Sequence, residues 1–108
     1  MNNYSLTVIT VVKNDEKNIE KTIKSVIKQK KANIEYIIID GNSKDQTLNI
    51  IKKYRTRIDK IISEEDSGIY YAMNKGIKLS KNDIIVFCNS GDFFYPNSFN
   101  KILDFFNK

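Results

Sequence analysis

Residues Tyr36 to Thr47 read Tyr-Ile-Ile-Ile-Asp-Gly-Asn-Ser-Lys-Asp-Gln-Thr. The run from Tyr36 to Ile39 is apolar and rich in β-branched side chains, the composition of a strand buried on both faces. Asp40-Gly41 interrupts it, and glycine lets the backbone turn sharply there. Ser43 with Gln46 has the spacing of a capping box, which predicts that a helix begins at this point. Strand, acid-bearing turn and helix in so short a span make half of a β-α-β unit. Asp40 has two readings. An Asp-Gly pair is a common turn-former, yet open α/β sheets bind their ligands just beyond the carboxyl ends of the strands.

The same alternation continues on both sides. Leu6 to Val12 reads as a first buried strand, followed by Asn14 as a helix cap with Asp15 and Glu16 at the positive helix end. Ile19, Ile23, Val26 and Ile27 then recur at helical spacing. Beyond the central stretch, Leu48, Ile51 and Tyr54 are the inward residues of a second helix, and Ile58 to Ser63 is a weaker strand ending in Glu64-Glu65-Asp66. Ile69, Ala72, Met73, Gly76 and Ile77 predict one buried face on a third helix, with Ala72 and Gly76 small enough to let it lie close to a sheet. Ile84 to Cys88 is the last buried strand, followed by Asn89-Ser90-Gly91-Asp92. Pro96 suits the first turn of a final helix with Phe99, Ile102, Leu103 and Phe106 on its apolar side.

This order predicts an α/β fold: one domain over residues 1–108, built on a mainly parallel, Rossmann-like sheet with helices on both faces. Such a sheet delivers Lys13-Asn14, Asp40, Glu64 to Asp66 and Asn89 to Asp92 to one edge. That edge is crowded with acid in an otherwise basic chain.

Composition narrows the function. A chain of 108 residues suits one small domain, and 41% hydrophobic with 29% charged residues argues against disorder. No apolar run approaches the roughly 20 residues that span a bilayer. Met-Asn-Asn-Tyr has no basic lead into an apolar signal core, so the cytoplasm is the expected location. Eighteen basic against thirteen acidic residues give a net charge of +5, which suits an anionic partner such as the inner membrane surface. The lysines at 17, 21, 24, 28, 52 and 53 read as solvated helix faces, and no nucleic-acid module is recognisable, so no nucleic acid is expected. The absence of histidine removes Ser-His and Cys-His nucleophile pairs and His-based zinc sites. The one cysteine, Cys88, sits in Ile-Ile-Val-Phe-Cys and reads as an inert core residue.

The chain lacks the Walker pattern and the dinucleotide glycine fingerprint, which excludes P-loop enzymes and dehydrogenases. A receiver domain would need an acidic pair where this chain has Lys13-Asn14. Carboxylates at a strand-end pocket instead suit a divalent cation, Mg²⁺ or Mn²⁺, held by one or two carboxylates and the phosphates of a substrate.

Four segments carry a family resemblance: Val8 to Asn14, Asp40 to Thr47, Gly68 to Ile77, and Asn89 to Asp92. In order and spacing they resemble the N-terminal half of family 2 glycosyltransferases with the GT-A fold. The resemblance implies a nucleotide-sugar donor, commonly a UDP-sugar, and inverting transfer of a hexosyl group to a glycan or lipid-linked acceptor in polysaccharide synthesis. It implies that Asp40 accepts a hydrogen bond from the base, that Val11, Val12 and Lys13 line the nucleoside pocket, and that Asp66, Gly68, Asn74 and Lys75 approach the donor. Asp92 falls on the last position of the family's acidic metal motif, bridging the cation to the diphosphate in a Lewis-acid role.

Asn89 and Gly91 stand where many relatives carry acids, which leaves Asp92 as the one carboxylate ligand and predicts weak metal affinity. Tyr71 stands where close relatives often have aspartate. Beside this, Asp92 keeps the plainer reading of a turn acid in Ser-Gly-Asp. Family members continue for a roughly equal length, with an acceptor site and an aspartate general base, so the base is expected beyond Lys108. Two readings follow: the donor half of an enzyme, or a truncated module that holds nucleotide-sugar without turnover. In the family, further strands pair beside Ile84 to Cys88, so this chain is expected to self-associate through that open sheet edge.

Overall fold

The structure, a computed structural model, describes residues 4–107. Four strands alternate with helices: β1 Leu6–Val12, α1 Ile19–Ile27, β2 Ile34–Asp40, α2 Thr47–Lys53, β3 Lys60–Ser63, α3 Ile69–Leu79, β4 Ile84–Phe87 and α4 Ser98–Phe106. All pairings are parallel, in the order β3-β2-β1-β4. The predicted parallel α/β sheet with helices on both faces is therefore the fold observed. Among the described residues no helix is long and apolar enough to cross a membrane.

β2 is buried at every position, as its apolar run requires, and begins at Ile34 rather than Tyr36. The extension comes from pairing, since Leu6 lies opposite Ile34 and the Leu6 N–H donates to the Asn33 carbonyl at 2.9 Å. β3 is shorter than the Ile58 to Ser63 expected. A 3₁₀ turn over Arg55–Arg57 precedes it, and Asp59 turns its carboxylate back to accept the Tyr36 N–H at 2.8 Å.

The two faces of the sheet are covered unequally. On one, Leu6, Val8, Tyr36 and Ile38 meet Ile19, Ile23 and Val26 of α1, Ile51 of α2, and Phe99 and Leu103 of α4. On the other, Ile9, Ile37 and Ile39 meet Ala72 of α3. The broad apolar face predicted for α3 is narrower in the structure. Ala72 and Gly76 are buried, whereas Ile69 is 50% and Ile77 44% exposed. A Cβ on Gly76 would lie 2.7 Å from Ile9 Cγ2, so the helix seats on its small residues and the larger ones flank the contact. Cys88 is buried as expected, and desolvation, with the nearby Asp92 charge, pushes its thiol up to about 11.

The helix starts also differ. Asn14 does not cap α1; it adopts a positive φ of 51°, and α1 begins at Ile19 after a turn in which the Asn18 and Ile19 N–H groups donate to the Asp15 carbonyl. Pro96 lies before α4, whose N-cap is Asn97.

Candidate functional site

Register brings the carboxyl ends of the strands together, with Val12 opposite Asp40 and Asp40 opposite Ser63. The loops after β1 and β2 are stitched to each other. The Asn14 N–H donates to Ser43 Oγ at 2.8 Å, the Lys44 N–H to Asn14 Oδ1 at 2.7 Å, and the Asp15 N–H to Thr47 Oγ1 at 2.9 Å. Ser43 is thus a loop clasp and not the cap of α2. The helix starts later because Asp45 Oδ1 accepts the Thr47 N–H at 2.9 Å. Hydrogen bonding from the Thr47 hydroxyl outweighs an opposing desolvation and, with nearby backbone N–H groups, holds the Asp45 carboxyl below its usual value.

Asp40 is fully buried beneath these loops. Its Oδ1 accepts the Ser43 hydroxyl at 2.5 Å, and its Oδ2 accepts the Ser43 N–H at 3.0 Å and the Ser63 hydroxyl at 2.8 Å. Three donors leave the carboxylate little spare capacity. In this arrangement it organises the turn. Gly41 beside it is buried, and a Cβ there would lie 3.3 Å from both Lys13 Cδ and Asp66 Oδ2. Lys13 and Asp66 therefore pack closely on either side of Gly41.

A cleft of about 360 Å³ opens at this edge. Val11 to Asp15 form one wall, Asp66, Gly68, Ile69 and Ala72 another, and Asn89 with Ser90 the third. Of the residues expected from sequence, the structure brings together Val11, Val12, Lys13, Asp66 and Gly68. The Gly68 N–H donates to Asp66 Oδ1 at 3.1 Å, and a φ of 124° there suits glycine. Asn74 and Lys75 do not line the cleft. Asn74 is exposed on α3, and Lys75 pairs with Glu64 at 3.0 Å.

Asn89 and Ser90, which the sequence reading placed at this edge without a role, also line the cleft, as does Asp15, read there as an acid at a helix start. Asn89 Oδ1 accepts the Val11 N–H at 3.2 Å, and the Ser90 hydroxyl donates to Asp15 Oδ2 at 2.7 Å. Their signal was position alone, directly after strands β4 and β1.

Asp92 stands beside the cleft and is exposed. Its N–H donates to the Asn89 carbonyl at 2.8 Å and its carbonyl accepts the Thr22 hydroxyl at 2.6 Å, while Gly91 turns with φ 99°. Among the described residues nothing hydrogen-bonds to its carboxylate, and no three Asp, Glu or Cys side chains cluster to hold a metal. One exposed carboxylate does not make an all-protein cage. It fits a hard cation whose other ligands are phosphate oxygens and water.

Solved structures with this fold are GT-A glycosyltransferases. TarS of Staphylococcus aureus, captured with UDP-GlcNAc, superposes with a TM-score of 0.87 at 25% identity over 95% of this chain and 31% of its own. An uncharacterized glycosyltransferase of Mycobacterium tuberculosis is 36% identical over 91 residues, 83% of this chain and 35% of that protein. The putative teichuronic acid biosynthesis glycosyltransferase TuaG of Bacillus subtilis is 33% identical over 103 residues, 93% of this chain and 41% of its own length. The chain thus spans well under half the length of these relatives, which are longer than the doubling inferred from sequence. Residues 7–108 match glycosyl transferase family 2, and the chain belongs to that family.

Proposed function

We propose that this chain is the donor-binding part of an inverting hexosyltransferase that takes a UDP-sugar and works in polysaccharide synthesis on a glycan or lipid-linked acceptor, at the cytoplasmic surface of the inner membrane. The observation that carries the reading is the convergence of Val11 to Lys13, Asp66 and Gly68 on one cleft at the carboxyl edge of the sheet. This is where open α/β sheets bind ligands. UDP-GlcNAc in TarS supports a UDP-sugar as the donor.

Val11, Val12 and Lys13 line the nucleoside side, with Asp40 taking a hydrogen bond from the base once Ser43 releases it. Asp66 and Gly68 face the sugar-diphosphate, while Asn74 and Lys75, expected to approach it, stand outside the cleft on α3. Asp92 is the residue that would hold Mg²⁺ or Mn²⁺ against the diphosphate. A cation held there supplies Lewis-acid neutralisation of charge on the departing UDP.

Calorimetric titration of UDP into the wild type and Asp92→Ala, with and without Mn²⁺, tests the reading. Mn²⁺ should tighten UDP binding to the wild type and not to the variant. A variant that keeps the full enhancement removes Asp92 as ligand, and a wild type that ignores UDP removes the donor reading. A turnover assay separates enzyme from binding module. We expect the general base beyond Lys108, so residues 1–108 alone should bind donor without transferring sugar. Robust transfer would put the base within these residues, with Asp66 and Glu65 the first to substitute.

A further inference from the structure

A second and larger groove, about 620 Å³, lies between α1 and residues 93–97, on the outer side of the helix layer. One wall carries Lys17, Lys21, Lys24 and Lys28. Lys21 and Lys24 stand on α1, Lys17 in the turn that leads into it and Lys28 at its C-cap, so the four run along one side of this segment. All four are exposed, and among the described residues the ion pairs fall on other lysines: Lys30, Lys53, Lys60 and Lys75. The one acid in the groove, Glu20, is already engaged by the Tyr54 hydroxyl and by Lys53 Nζ at 3.5 Å.

The facing wall is aromatic. Phe93 is 47% and Tyr95 73% exposed, and their rings meet edge to face at 5.4 Å. The loop that presents them is firmly held. Phe94 packs on Phe99 at 4.8 Å, its N–H donates to Ser25 Oγ at 3.2 Å, and Gln29 Nε2 donates to the Tyr95 carbonyl at 2.9 Å. Lys21 Nζ sits 5.1 Å from the Phe93 ring centroid, so the cationic and aromatic walls form one surface.

We propose that this surface docks the protein on an anionic bilayer, with the lysine stripe against lipid phosphates and the Phe93 and Tyr95 rings in the interfacial layer. Aromatic rings with an apolar body and polar edge favour that layer, and lysines keep their ammonium groups at headgroup level while their stems cover apolar surface. Charge complementarity selects the occupant, because four exposed lysines against the single acid Glu20, beside exposed rings, match phosphates above hydrocarbon. The surface adjoins the candidate donor site: Phe93 follows Asp92, and Thr22, between Lys21 and Lys24, bonds the Asp92 carbonyl. Docking therefore holds the Asp92 edge next to lipid. This deepens the membrane contact proposed above, but the test uses no nucleotide or metal, so its failure leaves the UDP titration standing.

Co-sedimentation with vesicles of equal parts phosphatidylglycerol and phosphatidylcholine, against pure phosphatidylcholine, is the experiment. The wild type should bind the anionic vesicles, bind the neutral ones far less, and lose affinity as salt rises. Lys21→Glu with Lys24→Glu should weaken anionic binding by at least about fivefold per lysine, the scale for a basic residue near such a surface. Lys52→Glu with Lys78→Glu, on α2 and α3, changes net charge equally and should leave binding near wild type. Tyr95→Ala should lower the part that persists at high salt. The proposal is overturned if neither vesicle binds, if the groove variant binds like wild type, or if both charge variants lose equally, which would mean attraction by net charge alone.

Discussion

Thr22 holds the backbone around Asp92 from both sides. Its hydroxyl donates to the Asp92 carbonyl at 2.6 Å and accepts the Gly91 N–H at 3.1 Å. The loop is pinned through main-chain atoms, so the carboxylate is left for a ligand. Thr22→Val keeps the shape and removes both bonds. Stability should fall by about 1–2 kcal/mol, the scale of two part-buried hydrogen bonds lost together. The Mn²⁺ enhancement of UDP binding should fall with it. Urea unfolding and calorimetry on the same variant check this, and unchanged metal enhancement at reduced stability would show that the pin matters only to the fold.

Asp40→Ala strands three donors, the Ser43 N–H, the Ser43 hydroxyl and the Ser63 hydroxyl. A loss of about 2–3 kcal/mol is expected from unsatisfied groups at a buried site. UDP binding should weaken equally with and without Mn²⁺, because Asp40 is proposed to meet the base. A variant with wild-type stability would mean the buried turn is not held by this carboxylate.

At the opposite end of the sheet, Glu35 is 2% exposed and ties β1, β3 and the end of α3 together. It accepts the Thr7 hydroxyl at 2.8 Å, Lys60 Nζ at 3.0 Å and the Lys81 N–H at 3.0 Å. Burial alone would raise its carboxyl, but the Lys81, Thr7 and Lys60 bonds and the Lys60 charge outweigh it and hold the carboxyl below the usual 4.5. A depressed folded value means the stabilisation is fully present above about pH 4.5 and is lost as pH falls through the folded value. Glu35→Gln should therefore be less stable than wild type near neutral pH, by about 1–3 kcal/mol. The gap between the two urea midpoints should close in acid. A gap that does not change with pH would exclude the charge as its source.

β4 pairs with β1 on one side, and among the described residues no strand pairs on the other. Because Cys88 and Ser90 donate to Ile9 and Val11, alternation turns the Ile85 and Phe87 N–H groups to the open side. The chain should self-associate through this edge, giving a sedimentation coefficient that rises with concentration and slower amide exchange at Ile85 and Phe87 as it does. A monomer at all concentrations, with both amides already protected, would mean the edge is covered some other way.

The fold was legible because periodicity is a local signal: Tyr36 to Ile39 is apolar throughout, and Ile19, Ile23, Val26, Phe99 and Leu103 of the helix stripes are buried, whereas Phe106 is left 44% exposed at the end of α4. Boundaries were less legible because they depend on partners. Ser43 has the spacing of a cap, but Asn14 from another loop takes its oxygen. Ile69 and Ile77 share a helical period with Ala72, yet the tight seat of Gly76 on Ile9 leaves them outside. For the site, strand-end position singled out Lys13 and Asp66 and the family resemblance added Gly68, whereas the bonding of Asp40 draws on Ser63, a residue on a different strand.

Among the described residues α3 covers its side of the sheet alone, resting on Ala72 and Gly76, while three helices share the other. Asp66 and Gly68, one wall of the cleft, lead directly into it. That wall is anchored only as well as a single helix on a narrow seat. A ligand spanning from Lys13 to Gly68 would act as a strap across β1 and α3, resisting the lifting of that helix. Donor affinity and the opening rate of this side of the protein then become one linked quantity. Saturating UDP should slow amide exchange at Ile9, Ile37 and Ile39, residues that lie under the helix.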